Sequence, residues 1–134
     1  MSINTTAVAE AGNYIDLSGE YEVKVTNVLK VPMKSKPNEY QFEFTLTESG
    51  KGCTIIYRCS DTPLGYKFLK QLGNKCQLNV DEREWESWDA LAQACVDSNV
   101  IIGIVVSEGK PYPDPVTGDM KLGIPYVSSV HKIG

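Results

Sequence analysis

A chain of 134 residues, 42% hydrophobic and 22% charged, has the make-up of one globular domain with room for a hydrophobic core. Its four cysteines form no C-x-x-C pair and His131 is its one histidine, so neither a zinc site nor any other cofactor is expected. The formal net charge of −4 speaks against a uniformly basic nucleic-acid binder.

The charge is segregated along the chain. From Tyr21 to Lys75 there are nine Lys/Arg against five Asp/Glu, whereas from Cys76 to Val100 Arg83 alone faces six acids. Segregation of this kind points to a functional field on part of the surface. Met1 to Gly12 has no basic stretch ahead of an apolar run, so no secretory signal is expected. The longest apolar run, Val100 to Val106, is far too short for a membrane span. A cytoplasmic protein with reduced thiols follows as the expectation.

Residues 1–18 lack periodicity and read as a flexible arm, leaving 19–134 as the folded domain. A first strand is predicted from Glu20 to Val31, with Tyr21, Val23 and Val25 on one face and a bulge near Asn27-Val28. Two prolines and two lysines mark Pro32 to Asn38 as a loop. The second strand, Glu39 to Glu48, alternates most clearly: Phe42, Phe44 and Leu46 form an apolar face with Tyr40 at its rim. The turn Ser49-Gly50-Lys51-Gly52 joins it to a third strand, Cys53 to Cys59.

Thr62-Pro63 then has the form of an N-cap followed by proline at the first helical position, and Gly73 that of a C-cap. A short extended piece, Gln77 to Val80, follows. Trp85, Trp88, Ala92 and Cys95 recur at helical spacing, which predicts a second helix from Glu82, or from Ser87, to Val96. Asn99 to Ser107, apolar on both faces, reads as a buried fourth strand. A proline-rich loop, Glu108 to Lys121, leads to a fifth strand from Met120 to Ile133. The resulting order, β-β-β-α-α-β-β, predicts an all-β, five-stranded OB-fold barrel with a helical insert.

No nucleotide-binding, zinc-protease or nucleophile-elbow motif is present, so no catalytic residue is assigned and an enzyme is not expected. The run Asp81, Glu82, Glu84, Glu86 and Asp89 reads as a solvated helix face rather than a metal cluster. Cations and aromatics at the loops carry the functional expectation. Lys30, Lys34 and Lys36 flank the first loop; Lys110, Tyr112 and Lys121 lie on the last; Tyr57 and Arg58 stand between them on the third strand. Cations that neutralise phosphates beside rings that stack bases suit single-stranded DNA held with little sequence preference. The alternative is a non-enzymatic protein-interaction or structural β-barrel whose acidic, Trp-bearing segment contacts a protein.

The chain resembles the small phage-encoded single-stranded DNA-binding proteins with an OB fold, over about Gly19 to Ile133. The resemblance rests on Gly19-Glu20-Tyr21-Glu22-Val23, on Gly65-Tyr66-Lys67-Phe68-Leu69-Lys70-Gln71-Leu72-Gly73, and on Asp114-Pro115-Val116-Thr117-Gly118-Asp119. It implies a viral protein of bacteriophage DNA replication or recombination in the host cytoplasm. Its partners would be single-stranded DNA, a homo-oligomer, and replication or recombination proteins. Many such proteins end in an acidic tail that recruits partners; here the chain ends Val130-His131-Lys132-Ile133-Gly134, and the acidic segment Asp81 to Asp89 is the substitute on offer.

Overall fold

The computed structural model describes residues 14–133. Strands β1 (Gly19–Pro32), β2 (Tyr40–Glu48) and β3 (Thr54–Ser60) come first, followed by helix α1 (Pro63–Lys75). A 3₁₀ turn, Val80–Glu82, leads to helix α2 (Trp88–Asp97) and strand β4 (Ile101–Ser107). The chain ends in β5 (Pro111–Pro113), β6 (Met120–Leu122) and β7 (Tyr126–Lys132).

The five-stranded sheet has the order β3-β2-β1-β4-β7 with every pairing antiparallel, and β5 pairs with β6 in a separate two-stranded sheet. This corrects the expected all-β OB barrel. The fold is mixed α/β, its main sheet is open, and no ladder joins its edge strands β3 and β7 among the described residues. Two features keep it open. Residues Met120–Leu122, expected to begin the last strand, pair instead with Pro111–Pro113, and the main-sheet strand starts only after Pro125, which has no N–H to give a ladder. Helix α1 packs against both edge strands, and its Phe68 and Gln71 line the gap between them.

One face of the sheet is the core. Phe42, Phe44 and Leu46 on β2 are buried, as their alternation predicted, and stand in register with Cys59, Tyr57 and Ile55 on β3. The extra residue of β1 falls at Thr26, between the rungs of Val25 and Asn27; it lets Val23 and Val25 point inward before the bend and Val28 after it. Leu69 and Leu72 of α1 and Leu91, Ala92 and Cys95 of α2 cover this face. Full burial of side chains this size is worth roughly 1.5–3 kcal/mol each.

The helices begin where their caps predict. Thr62 Oγ1 accepts from the Gly65 N–H, and Ser87 Oγ accepts from the Ala90 N–H at 3.0 Å, so α2 starts at the later of its two predicted positions. Gly73 does not end α1, which continues to Lys75 and is capped by Cys76. The glycine is there for packing: a Cβ at position 73 would lie 2.6 Å from Val80 Cγ2. The expected extended piece is a tight reversal instead, with Gln77 and Asn79 both at positive φ and Val80 opening the 3₁₀ turn.

Of the expected arm, residues 1–13 lie outside the described residues. Tyr14 and Ile15 meet β3: the Ile15 N–H donates to Thr54 O at 2.8 Å, and its side chain is buried in the core. No helix among the described residues is long and apolar enough to cross a membrane.

Candidate functional site

Register sorts the candidate residues between the two faces of the sheet. Pairing places Leu29, Glu43 and Arg58 in one row on the outer face, and Asn27, Thr45 and Ile56 in the next. The rows between them, Lys30-Phe42-Cys59 and Val28-Phe44-Tyr57, belong to the core side. Arg58 therefore faces out and Tyr57 faces in. Tyr57 is half-buried against the core, and burial pushes its hydroxyl pKa up to about 12.

Lys30 is a structural pin rather than an open loop cation. Lying on β1 in the row of Phe42, its ammonium reaches across the Phe42 and Tyr40 rings to Asp61 at 3.0 Å and Asp89 at 3.4 Å. Tyr66 donates to Asp61 at 2.6 Å, and its ring stacks on Trp88 with centroids 4.1 Å apart. Burial pulls the Asp61 carboxyl upward, but the hydrogen bonds from Tyr66 and Lys30, with the Lys30 charge, outweigh it and hold the group below its usual range. This cluster ties β1, α1 and α2 together.

Other candidates hold acid partners. Lys36 lies 3.8 Å from Glu39, and Lys121 lies 2.7 Å from Asp114. Asp114 is the hinge of the β5–β6 turn: its carboxylate accepts from Lys121 and from the Val116 and Thr117 N–H groups, contacts that lower its pKa in that order. Lys34 and Lys110 are exposed, with no ion-pair partner among the described residues. Tyr112 is exposed on β5 and does not line the groove described next.

That groove, of about 460 Å³, runs along the outer side of β3. Thr54, Ile56 and Arg58 line it together with Tyr14 and Asp16, which run beside β3, and with Ile124, Pro125 and Tyr126. Tyr14 is 62% exposed, Tyr126 44% and Ile124 88%, so the aromatic and aliphatic surface is open to solvent. Arg58 also lines a second groove of about 280 Å³, the gap between β3 and β7, with Tyr57, Phe68 and Ser128. Arg58 is held by Glu43, Nε to Oε2 2.9 Å, yet its side chain keeps 56% of its exposure.

Of the eight sequence candidates, Arg58 lies in the outer groove, and Tyr57 and Arg58 share the gap. The groove's other principal residues, Tyr14, Ile124 and Tyr126, were hidden in the expected arm and in the expected last strand. A signal for two of them was available: Gly123-Ile124-Pro125 interrupts the run from Met120 to Ile133 and forbids one continuous central strand.

Nothing in either groove offers a nucleophile beside a base. Among the described residues there is no group of three or more His, Cys, Asp or Glu placed to hold a metal. Cys76 and Cys95 are free and buried, and the interaction between their thiols lowers the Cys76 pKa and raises that of Cys95. What the outer groove can do is hold a flat or extended ligand against tyrosine rings and present one guanidinium to its charge. Comparison with protein-family models finds no match, and comparison with curated proteins likewise finds none.

Proposed function

We propose that the protein binds single-stranded DNA, with little sequence preference, in the groove along β3. The observation that carries this reading is the placement of Arg58 in one open groove with the exposed rings of Tyr14 and Tyr126. Each unpaired base has a π-face for a ring, and a guanidinium can grip a phosphate through two N–H groups. The groove's polar side chains are few, Asp16, Thr54 and Arg58 beside the tyrosines, so stacking and backbone contact dominate. The motif resemblance adds support and extends the reading to phage replication or recombination.

Titration of a labelled oligonucleotide at several salt concentrations tests it. With Arg58 engaging one or two phosphates, log affinity falls against log salt at about −0.7 to −1.4, roughly 0.7 for each phosphate. Duplex of the same sequence binds more weakly, because its stacked bases cannot reach the rings. Equal affinity for duplex, or a flat salt response, overturns the proposal.

A further inference from the structure

A further concave surface lies on the helical side of the molecule. A cleft of about 470 Å³ lies between α1 and the segment from Val80 to α2. Val80, Trp85, Trp88 and Leu91 give it apolar walls, and Asp81 and Glu86 stand at its rim. Both tryptophans of the chain are here. Their rings are fixed by contacts within the protein: the Trp85 indole N–H donates to Val80 O at 3.0 Å, and Trp88 stacks on Tyr66. The cleft is thus preformed, and a ligand entering it has little side-chain ordering to impose.

Its charge selects the occupant. The Lys70–Asp81 ion pair, 2.7 Å, spans one side, and Asp89 is engaged by Lys30. Glu82, Glu84 and Glu86 have no ion-pair partner among the described residues. Arg83, the one cation of the segment, lies with its guanidinium 3.7 Å from the centroid of the Trp85 ring. The indole already accepts a cation, and Glu86 at the rim, with Glu82 and Glu84 on the same exposed segment, leaves acids unpaired.

We infer that this cleft is a docking site for a partner protein, which inserts an apolar side chain between Trp85 and Trp88 from a segment flanked by lysine or arginine. The apolar anchor fills the cleft, and the flanking cations meet Glu82, Glu84 and Glu86. Acidic rim and basic segment steer the encounter, while the desolvated anchor holds the complex.

Because Trp85 and Trp88 are the only tryptophans, their emission reports on this cleft directly. The full chain is titrated with a short synthetic peptide of alternating lysine and leucine, and separately with one of alternating glutamate and leucine. The lysine peptide produces a saturable change in tryptophan emission, and the glutamate peptide produces none. The double reversal Glu84→Lys with Glu86→Lys, at two exposed positions, weakens the lysine peptide by roughly tenfold without moving the melting curve. Three results overturn the inference. They are undiminished affinity in the reversed variant, binding seen by polarisation of a labelled peptide without any emission change, and a dimer of the parent chain in sedimentation that the double reversal dissociates.

Discussion

The Arg58–Glu43 pair gives the sharpest test of the groove. If Arg58 grips phosphate, Glu43 competes for the same guanidinium from 2.9 Å away. The side chains are 56% and 25% exposed, so the pair belongs to the class worth about 0.2–1 kcal/mol. Glu43→Gln removes the competitor and should tighten single-strand binding by about 1.4- to 5-fold at low salt. Arg58→Ala should weaken it by about 1.5–3 kcal/mol, the scale of a hydrogen bond to a charged group, and make the salt slope shallower by about 0.7. The decisive measurement is the double variant. Release of Arg58 requires Arg58 to be present, so Glu43→Gln in the Arg58→Ala background should change affinity little. If its gain persists there in full, Glu43 acts only by repelling DNA, and the guanidinium does not hold a phosphate. Thermal melts of all three variants should stay close to the parent, because an exposed pair carries little stability.

Other predictions follow from the same contacts. Tyr126→Ala should weaken oligonucleotide binding by about 1–3 kcal/mol in a fluorescence titration, the scale of one stacked base, while Tyr112→Ala, outside the groove, should leave the affinity within about twofold. Phe44→Ala removes a side chain with no solvent exposure and should cost about 3–5 kcal/mol in a denaturant melt; a wild-type midpoint would show that the ring is not core. Asp61→Asn should flatten the acid limb of the stability–pH curve. The folded carboxyl is held below the unfolded value of 3.8, so its contribution is present above that value and is lost as pH falls through the folded pKa. Identical acid limbs in parent and variant would exclude it.

The parts of this fold that sequence reveals are those set by neighbours along the chain. Alternation from Tyr40 to Leu46 identifies β2 and its buried face because a strand's side-chain period is fixed at two. Thr62 and Ser87 announce their helices because a cap bonds to an N–H only three residues ahead. Lys30 was illegible for the opposite reason. Its partners are remote, Asp89 by 59 positions, and no local pattern separates a pinned lysine from a free one. Gly73 misled because a glycine that stops a helix and one that admits a neighbour look alike in sequence. The closed barrel failed because strand order is read locally, whereas closure depends on where β7 begins and on a helix lodged beside the gap.

The charge count along the chain needs the same revision, and it changes what the proposed binding would rest on. Nine cations between Tyr21 and Lys75 would, if all met phosphates, give a salt slope of about −6. Ion pairs engage most of them: Lys30 with Asp61, Lys36 with Glu39, Lys51 with Glu48, Arg58 with Glu43 and Lys70 with Asp81. The remaining four, Lys24, Lys34, Lys67 and Lys75, are spread over a strand, a loop and a helix instead of lining one track. A surface so arranged cannot rely on counterion release for its affinity. If the protein holds single-stranded DNA as proposed, most of the binding energy must then come from rings and aliphatic surface, from Tyr14, Ile124 and Tyr126, meeting unstacked bases. Such a binder loses comparatively little affinity as salt rises. It should discriminate single strand from duplex strongly, since only a single strand offers base faces. A steep salt slope together with weak discrimination would place the binding energy on the lysines and refute this account of the groove.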